Sequence, residues 1–325
     1  MWYFRYRFTT WWDASDDAAQ GEGLVVGGVS QIVPILAQDM DIRCNCRALS
    51  IHYPPCEDAS ASAPLLVMTS TGPITAKYVI VAVPNGVLKH QQIQFVPPLR
   101  SQVMRSVCAL DAGVMDVVIF RFAEQFWPSD VFVFGVPPSG DACATTAEAL
   151  SPHKQLSDII HARIAGRDSS ISSDFNVPVD CLFSSFMNLT MARSDNCPLL
   201  LGQVFGRRAL QLETMSSQAI AAAAHDTLKI LFGKDVPRPI GCEYHKWGCD
   251  EFSYGSWNSI AVGSSPADLF NFKAPVECSH HGQSCAGCLQ FAGEWTDPAR
   301  MGLLQGAFLT GERAAEHIIK NHRKG

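Results

Sequence analysis

Leu289-Gln-Phe-Ala-Gly-Glu294, followed by Gly302-Leu-Leu-Gln-Gly306 and an alanine-rich run to Ile319, reads as a strand, a glycine-punctuated loop and a helix. That order sets backbone amides at a helix N-terminus, where an anionic or carbonyl-rich cofactor is well held. The glycines let backbone approach a ligand closely, and Glu294 at the strand's end can accept hydrogen bonds from ligand hydroxyls. A capped turn with a surface glutamate has the same sequence signature. Many α/β chains end in such a unit, so the pattern predicts the fold class, α/β with mixed α+β character, before it predicts a ligand.

Working outward, Tyr78-Val-Ile-Val-Ala-Val-Pro84 is apolar at nearly every position and predicts an internal, parallel strand ended by Pro84-Asn85-Gly86. Leu65 to Thr69 and the alternating stretch Asp41 to Tyr53 read as further strands. Between Leu24 and Ala37, Gly27-Gly28, Ser30 and the spacing of Ile32, Ile35 and Leu36 predict a short helix. Pro34 is tolerable in its first turn, where amides have no intrahelical partner. The texture changes after Phe95: strands are expected over Val114 to Phe122 and Pro198 to Val204, with an inserted loop over Pro137 to Ile171. Ser217 to Leu231 carries a helical apolar face stopped by Gly233, and Phe252 to Val262 is aromatic and turn-flanked.

The chain has 325 residues, 47% hydrophobic and 17% charged, which is globular composition with enough apolar material for two lobes. Its formal charge of -6, with no long basic block, gives no electrostatic footprint for a nucleic-acid backbone. No run approaches the roughly 18 apolar residues that span a bilayer, so neither nucleic acid nor membrane is an expected partner. The 12 cysteines are unevenly spaced, which favours reduced thiols in a cytosolic or nuclear protein over a disulfide framework. In that setting the sequon Asn188-Leu189-Thr190 has no meaning.

Phe291-Ala-Gly-Glu-Trp-Thr296 with Gly302-Leu-Leu-Gln-Gly-Ala-Phe-Leu-Thr-Gly-Glu-Arg-Ala-Ala315 resembles the C-terminal FAD-binding signature of the flavin-dependent amine oxidases. That family includes polyamine oxidases, monoamine oxidases and lysine-specific histone demethylases. Other segments resemble the family in the same order: Gly27-Gly28 through Asp41-Ile-Arg-Cys-Asn45, Tyr78 to Leu88, Ile93 to Pro98, and Phe122 to Trp127. Trp247 to Phe252, Gly255-Ser-Trp257 and Val262-Gly-Ser-Ser265 continue the series. Collinear motifs are far more specific than any one of them.

The resemblance implies a two-lobed flavoprotein, with a partial FAD-binding lobe at 20–95 and 286–325 after a remnant at 1–19, and a mixed-sheet substrate lobe at 96–285. By motif position Glu294 and Gly293 would face the sugar-phosphate portion of FAD. The backbone at Gly302, Leu303 and Leu304 would meet the flavin ring, and that near Ala48 would meet adenine. Trp257 and Trp247 stand where the family sets aromatic walls of the amine site, with core packing the alternative for both. The implied activity is an FAD-dependent amine oxidation of the polyamine oxidase kind, with an amine or polyamine and oxygen as substrates and hydrogen peroxide as product.

Three departures bear on activity. The family opens with strand, G-x-G-x-x-G and helix; Gly21-Glu-Gly-Leu-Val-Val-Gly27 is one residue too long and follows the polar Asp13 to Gln20, so it reads as a decoy. The family's flavin-proximal lysine falls at Val117, and the adjacent Asp116 is expected on the opposite strand face. Arg300 and Leu303 stand where an aromatic or a threonine is common, so no particular amine is indicated. These departures keep open a catalytically inactive, amine-oxidase-like fragment or interaction protein with little FAD affinity. Cys278, His280, His281, Cys285 and Cys288 have metal-like composition but match no standard zinc spacing, and a solvated loop without metal is expected.

Overall fold

The computed structural model of the chain describes residues 5–7, 22–24, 29–53, 64–136, 182–265, 267–268 and 288–322. In chain order they form β1 (Arg5–Arg7), β2 (Glu22–Leu24), α1 (Ile32–Leu36), β3 (Ala48–His52), β4 (Leu65–Thr69), β5 (Gly72–Ala76) and β6 (Val79–Val81). Next come α2 (Asn85–Lys89), β7 (Gln94–Val96), α3 (Ser101–Cys108), β8 (Leu110–Gly113), β9 (Met115–Arg121) and β10 (Val133–Gly135). The remainder are β11 (Ser185–Asn188), β12 (Leu199–Phe205), α4 (Arg207–Leu212), α5 (Ser217–Phe232), β13 (Gly241–Tyr244), β14 (Trp257–Ile260), β15 (Leu289–Phe291) and α6 (Leu304–His322). Two compact units result: 1–32 with 113–250, and 33–112 with 251–325. The chain crosses between them at Ile32/Val33, Ala112/Gly113 and Asp250/Glu251.

The first unit is built on a five-stranded sheet in the order β10-β11-β12-β9-β13, antiparallel at every pairing. β9 alternates: Asp116, Val118 and Phe120 are buried on one face, while Val117 and Ile119 point to the other. The first face carries the main core, with Phe122, Phe183, Phe186, Leu200 and Leu212. The second carries a smaller cluster of Met187, Leu189, Leu199 and Leu201 with Val117 and Ile119. β12, covered on both faces, is correspondingly buried over its first six positions. α5 packs Ile220, Ala223, Ala224 and Leu228 into the main core, each large side chain contributing about 1.5–3 kcal/mol. It begins at Ser216, whose hydroxyl accepts the Ala219 N–H, and stops at Gly233 with φ 96°, as its sequence predicts.

The second unit holds a mixed four-stranded sheet, β5-β4-β3-β7, in which only the β3/β7 pairing is parallel. β6 pairs in parallel with β15, and β8 forms a separate two-stranded sheet with β14. Their shared core is Leu65, Val81, Leu110, Tyr254, Phe291 and the wholly buried Trp295. Gly86 in α2 is obligatory for this packing, because a Cβ there would lie 2.3 Å from the Ser253 carbonyl oxygen.

Three sequence expectations need correction. Of the stretch Asp41 to Tyr53, only Ala48–His52 is strand, the preceding residues having positive φ at Asn45 and no partner strand among the described residues. The stretch Tyr78 to Pro84 yields only Val79–Val81, parallel as expected but not buried throughout, with Ile80 37% exposed. Continuous apolarity marks a strand but does not reveal how many faces are covered. Ser30 does not cap α1 but lies inside a 3-10 turn, Val29–Gln31, that leads into it. The inserted loop Pro137 to Ile171 lies outside the described residues, and of Gly21 to Gly27 only Glu22–Leu24 is described, as β2 antiparallel to β1.

Candidate functional site

β15 delivers the chain to Gly293, whose φ of 118° turns it into the 3-10 segment Glu294–Thr296. A Cβ on Gly293 would stand 2.8 Å from the Trp295 indole nitrogen, so glycine is required here by the fold itself. Trp295 pins the turn from below by donating Nε1–H to the Val83 carbonyl at 3.0 Å. α6 pins it from the side. Thr310 Oγ1 accepts the Gly293 N–H at 3.0 Å, and Arg313 donates to Phe291 O at 3.0 Å and to Thr296 Oγ1 at 3.1 Å.

This frame fixes Glu294. Its Oε1 accepts from Asn258 Nδ2 and its Oε2 from the Gly302 backbone N–H, each at 2.6 Å. Burial raises the Glu294 carboxyl above the ordinary range, and the two donors act against that shift. Gly302 holds φ 75° with open space around it, whereas a Cβ on Gly306 would lie 2.3 Å from the Arg300 carbonyl oxygen. Of the glycines in the pattern, Gly293 and Gly306 are therefore required by packing within the chain, and Gly302 by its backbone conformation.

The first backbone bond into α6 runs from Ala307 N–H to the Leu303 carbonyl, so the amides of Leu304, Gln305 and Gly306 begin the helix without intrahelical acceptors. Two buried side-chain oxygens, Asn258 Oδ1 and Gln305 Oε1, have no hydrogen-bond partner among the described residues. A carboxylate, a set of helix N-terminal donors and two unsatisfied carbonyl oxygens suit a ligand rich in both hydroxyls and anionic or carbonyl groups. Asn258 escaped the sequence reading: it is one of two polar residues in a four-residue strand, and its partner lies 36 residues along the chain.

The other expected residues fall as follows. Leu303 is half-buried, its N–H bonded to the Arg300 carbonyl, and Leu304 is exposed at the start of α6. Arg300 pairs with Asp297 at 3.0 Å. Ala48 opens β3 opposite Thr69, beside an irregularity in register between Ala48 and Ser50. Trp257 on β14 is 44% exposed and is not a core side chain. Trp247 belongs to the first unit, half-buried, with its ring edge-on to His245 at 4.5 Å between centroids. Val117 packs in the smaller apolar cluster of β9, and Asp116 points to the opposite, buried face. Of the cysteine and histidine cluster only Cys288 is described, half-buried, and the rest lies outside the described residues. Among the described residues no group of three or more His, Cys, Asp or Glu side chains is arranged to hold a metal, and no helix is long and apolar enough to cross a membrane.

A family profile described as flavin containing amine oxidoreductase matches residues 6–319. Lysine-specific histone demethylase 1 homolog 3 of Arabidopsis thaliana is 29% identical over 308 residues, which are 93% of this chain and 16% of that protein. Polyamine oxidase 3 of Oryza sativa subsp. japonica is 29% identical over 308 residues, 94% of this chain and 51% of that protein. Among solved structures, a putrescine oxidase bound to putrescine aligns with a TM-score of 0.60 at 16% identity, covering 94% of this chain and 56% of the other, a likeness in fold. The chain thus spans about half the length of the polyamine oxidase it matches.

Proposed function

The chain belongs to the flavin containing amine oxidoreductases, and on that premise we propose that it serves FAD-dependent oxidation of an amine or polyamine, with oxygen as the final acceptor. The observation that carries this reading is the Glu294 frame, in which a half-buried carboxylate stands among unsatisfied carbonyl oxygens of the same unit and the open amides of α6. That donor and acceptor set fits the nucleotide and ring edges of a flavin. Glu294 and Gly293 would hold the sugar-phosphate portion, the backbone of Gly302, Leu303 and Leu304 the ring, and the backbone at Ala48 the adenine. Bound FAD supplies the redox chemistry, taking a hydride from the carbon beside the amine nitrogen.

The chain's own residues bind, orient and desolvate. Trp257, with much of its ring exposed, would wall the amine, by cation–π attraction to an ammonium and by apolar packing once it is neutral. A second reading, an amine-oxidase-like protein without turnover, is favoured by Val117, which puts an aliphatic side chain at the family's lysine position and packs it against Met187, Leu189, Leu199 and Leu201.

Thermal unfolding with increasing FAD, run beside a peroxidase-coupled assay of hydrogen peroxide with spermine and spermidine, separates the two. The catalytic reading expects a melting temperature that rises with FAD at high concentration, a smaller rise in Glu294→Ala, and peroxide formed only with amine and FAD together. A melting temperature indifferent to FAD, with no peroxide from any amine, would replace it by the second reading.

A further inference from the structure

On the buried face of β9, Asp116 meets Glu213, the residue that ends α4; the two side chains are 0% and 3% exposed. They grip consecutive residues of one turn. Asp116 Oδ1 accepts the Trp247 N–H at 3.4 Å and Glu213 Oε1 accepts the Gly248 N–H at 2.7 Å. Gly248 fits only because it lacks a side chain, since a Cβ there would come within 2.9 Å of Glu213 Oε1. The second oxygens, Asp116 Oδ2 and Glu213 Oε2, are buried and take no donor among the described residues. Two adjoining carboxylates out of water cannot both carry charge without a large penalty, whereas one proton between them turns an oxygen of one into a donor for the other.

We propose that Asp116 and Glu213 share a single proton and act as the positioning pair for Trp247, holding its turn in place only while that proton is bound. Removing the proton to solvent base leaves two negative charges facing each other across the grip. The turn would then be released or hydrated. Burial and then the Glu213 charge push the Asp116 carboxyl up to about 8, so the release falls in the mildly alkaline range.

Among the described residues the surroundings supply one weak counter-charge, Lys246. Val204 of β12 lies opposite Asp116, and α4 presents Leu210 to Gly248 beside Glu213. Lys246 acts on Asp116 in the opposite sense, but more weakly than Glu213. His245 and Asp250 close the same turn on each other at 3.2 Å. Arg207 and Arg208 sit at the far end of α4. Trp247 is held this way whatever its ring meets, and if it walls an amine site the pair sets that site's alkaline limit.

The test is fluorine NMR of the full chain labelled with 5-fluorotryptophan, the Trp247 resonance being identified by its loss in Trp247→Phe. In the unsubstituted protein this resonance should shift between neutral and alkaline pH. In Asp116→Asn, whose amide donates to Glu213 at every pH, it should stay fixed. A resonance that does not move in the unsubstituted protein, or moves equally in Asp116→Asn, overturns the proposal. Infrared difference spectra of the unsubstituted protein give a second readout that needs no variant. A protonated carboxyl C=O band present at neutral pH and lost over the same alkaline range is expected, and its absence at neutral pH overturns the proposal as well.

Discussion

Asn258 and Glu294, on β14 and just after β15, are joined by a 2.6 Å hydrogen bond from the Asn258 side-chain amide to Oε1, while Oε2 holds the Gly302 N–H at the same distance. A carboxylate can serve both donors, but a carboxamide has one acceptor oxygen and would turn its NH2 toward the other donor. Glu294→Gln should therefore lower stability by about 1–3 kcal/mol, read as a shift of the urea midpoint without change of slope. An unchanged midpoint would mean that the two bonds are not both formed in solution.

Two glycines of the same loop should respond differently to alanine. At Gly302 the cost is that of a side chain at φ 75° in open space, about 1–2 kcal/mol. At Gly306 the new Cβ would meet backbone, the Arg300 carbonyl at 2.3 Å, and the start of α6 must shift to admit it. Gly306→Ala should be the more damaging by several-fold in the folding equilibrium constant, and a reversed order in parallel denaturation curves would show that the loop is arranged otherwise.

What could be read in advance followed from local chemistry. The unit β15, loop and α6 is visible in its glycines, β9 and β12 in their apolar runs, and the end of α5 in Gly233, whose φ of 96° suits a residue without a side chain. What could not be read depends on residues distant in sequence. Nothing near Asn258 announces Glu294, and nothing near Asp116 announces Glu213 or the Trp247 turn, because each partner is supplied by the tertiary fold. The glycine pattern was legible as a loop but ambiguous in purpose. Gly293 and Gly306 answer to Trp295 and the Arg300 carbonyl, contacts that leave no periodic trace. Asn188 likewise sits in a sequon by letters alone, since it is 0% exposed and donates to the Val131 carbonyl.

Thr310 binds α6 to the turn that presents Glu294, accepting from Gly293 N–H and lying 2.9 Å from the Ala307 carbonyl. Thr310→Val keeps the volume and leaves the Gly293 N–H without its acceptor in a buried setting, at a cost of about 1–3 kcal/mol. Hydrogen exchange should localise the effect, with the Gly293 amide losing protection while amides of α5, in the other unit, change only as far as global stability falls. Equal loss in both would make Thr310 an ordinary core residue.

The last expectation concerns stability and pH. Asp116 titrates near 3.8 when unfolded and at about 8 when folded, so between those values the folded chain binds the extra proton. Unfolding free energy at this site then falls as pH rises, by at most about 1.4 kcal/mol per pH unit, and the contribution is lost once pH passes the folded value. An asparagine does not titrate. Compared by denaturation from about pH 5 to about pH 9, Asp116→Asn should gain on the unsubstituted protein until pH reaches about 8 and then level off, by a few kcal/mol in total. Parallel pH profiles for the two proteins would place the Asp116 proton loss below that range and remove the physical basis for a shared proton.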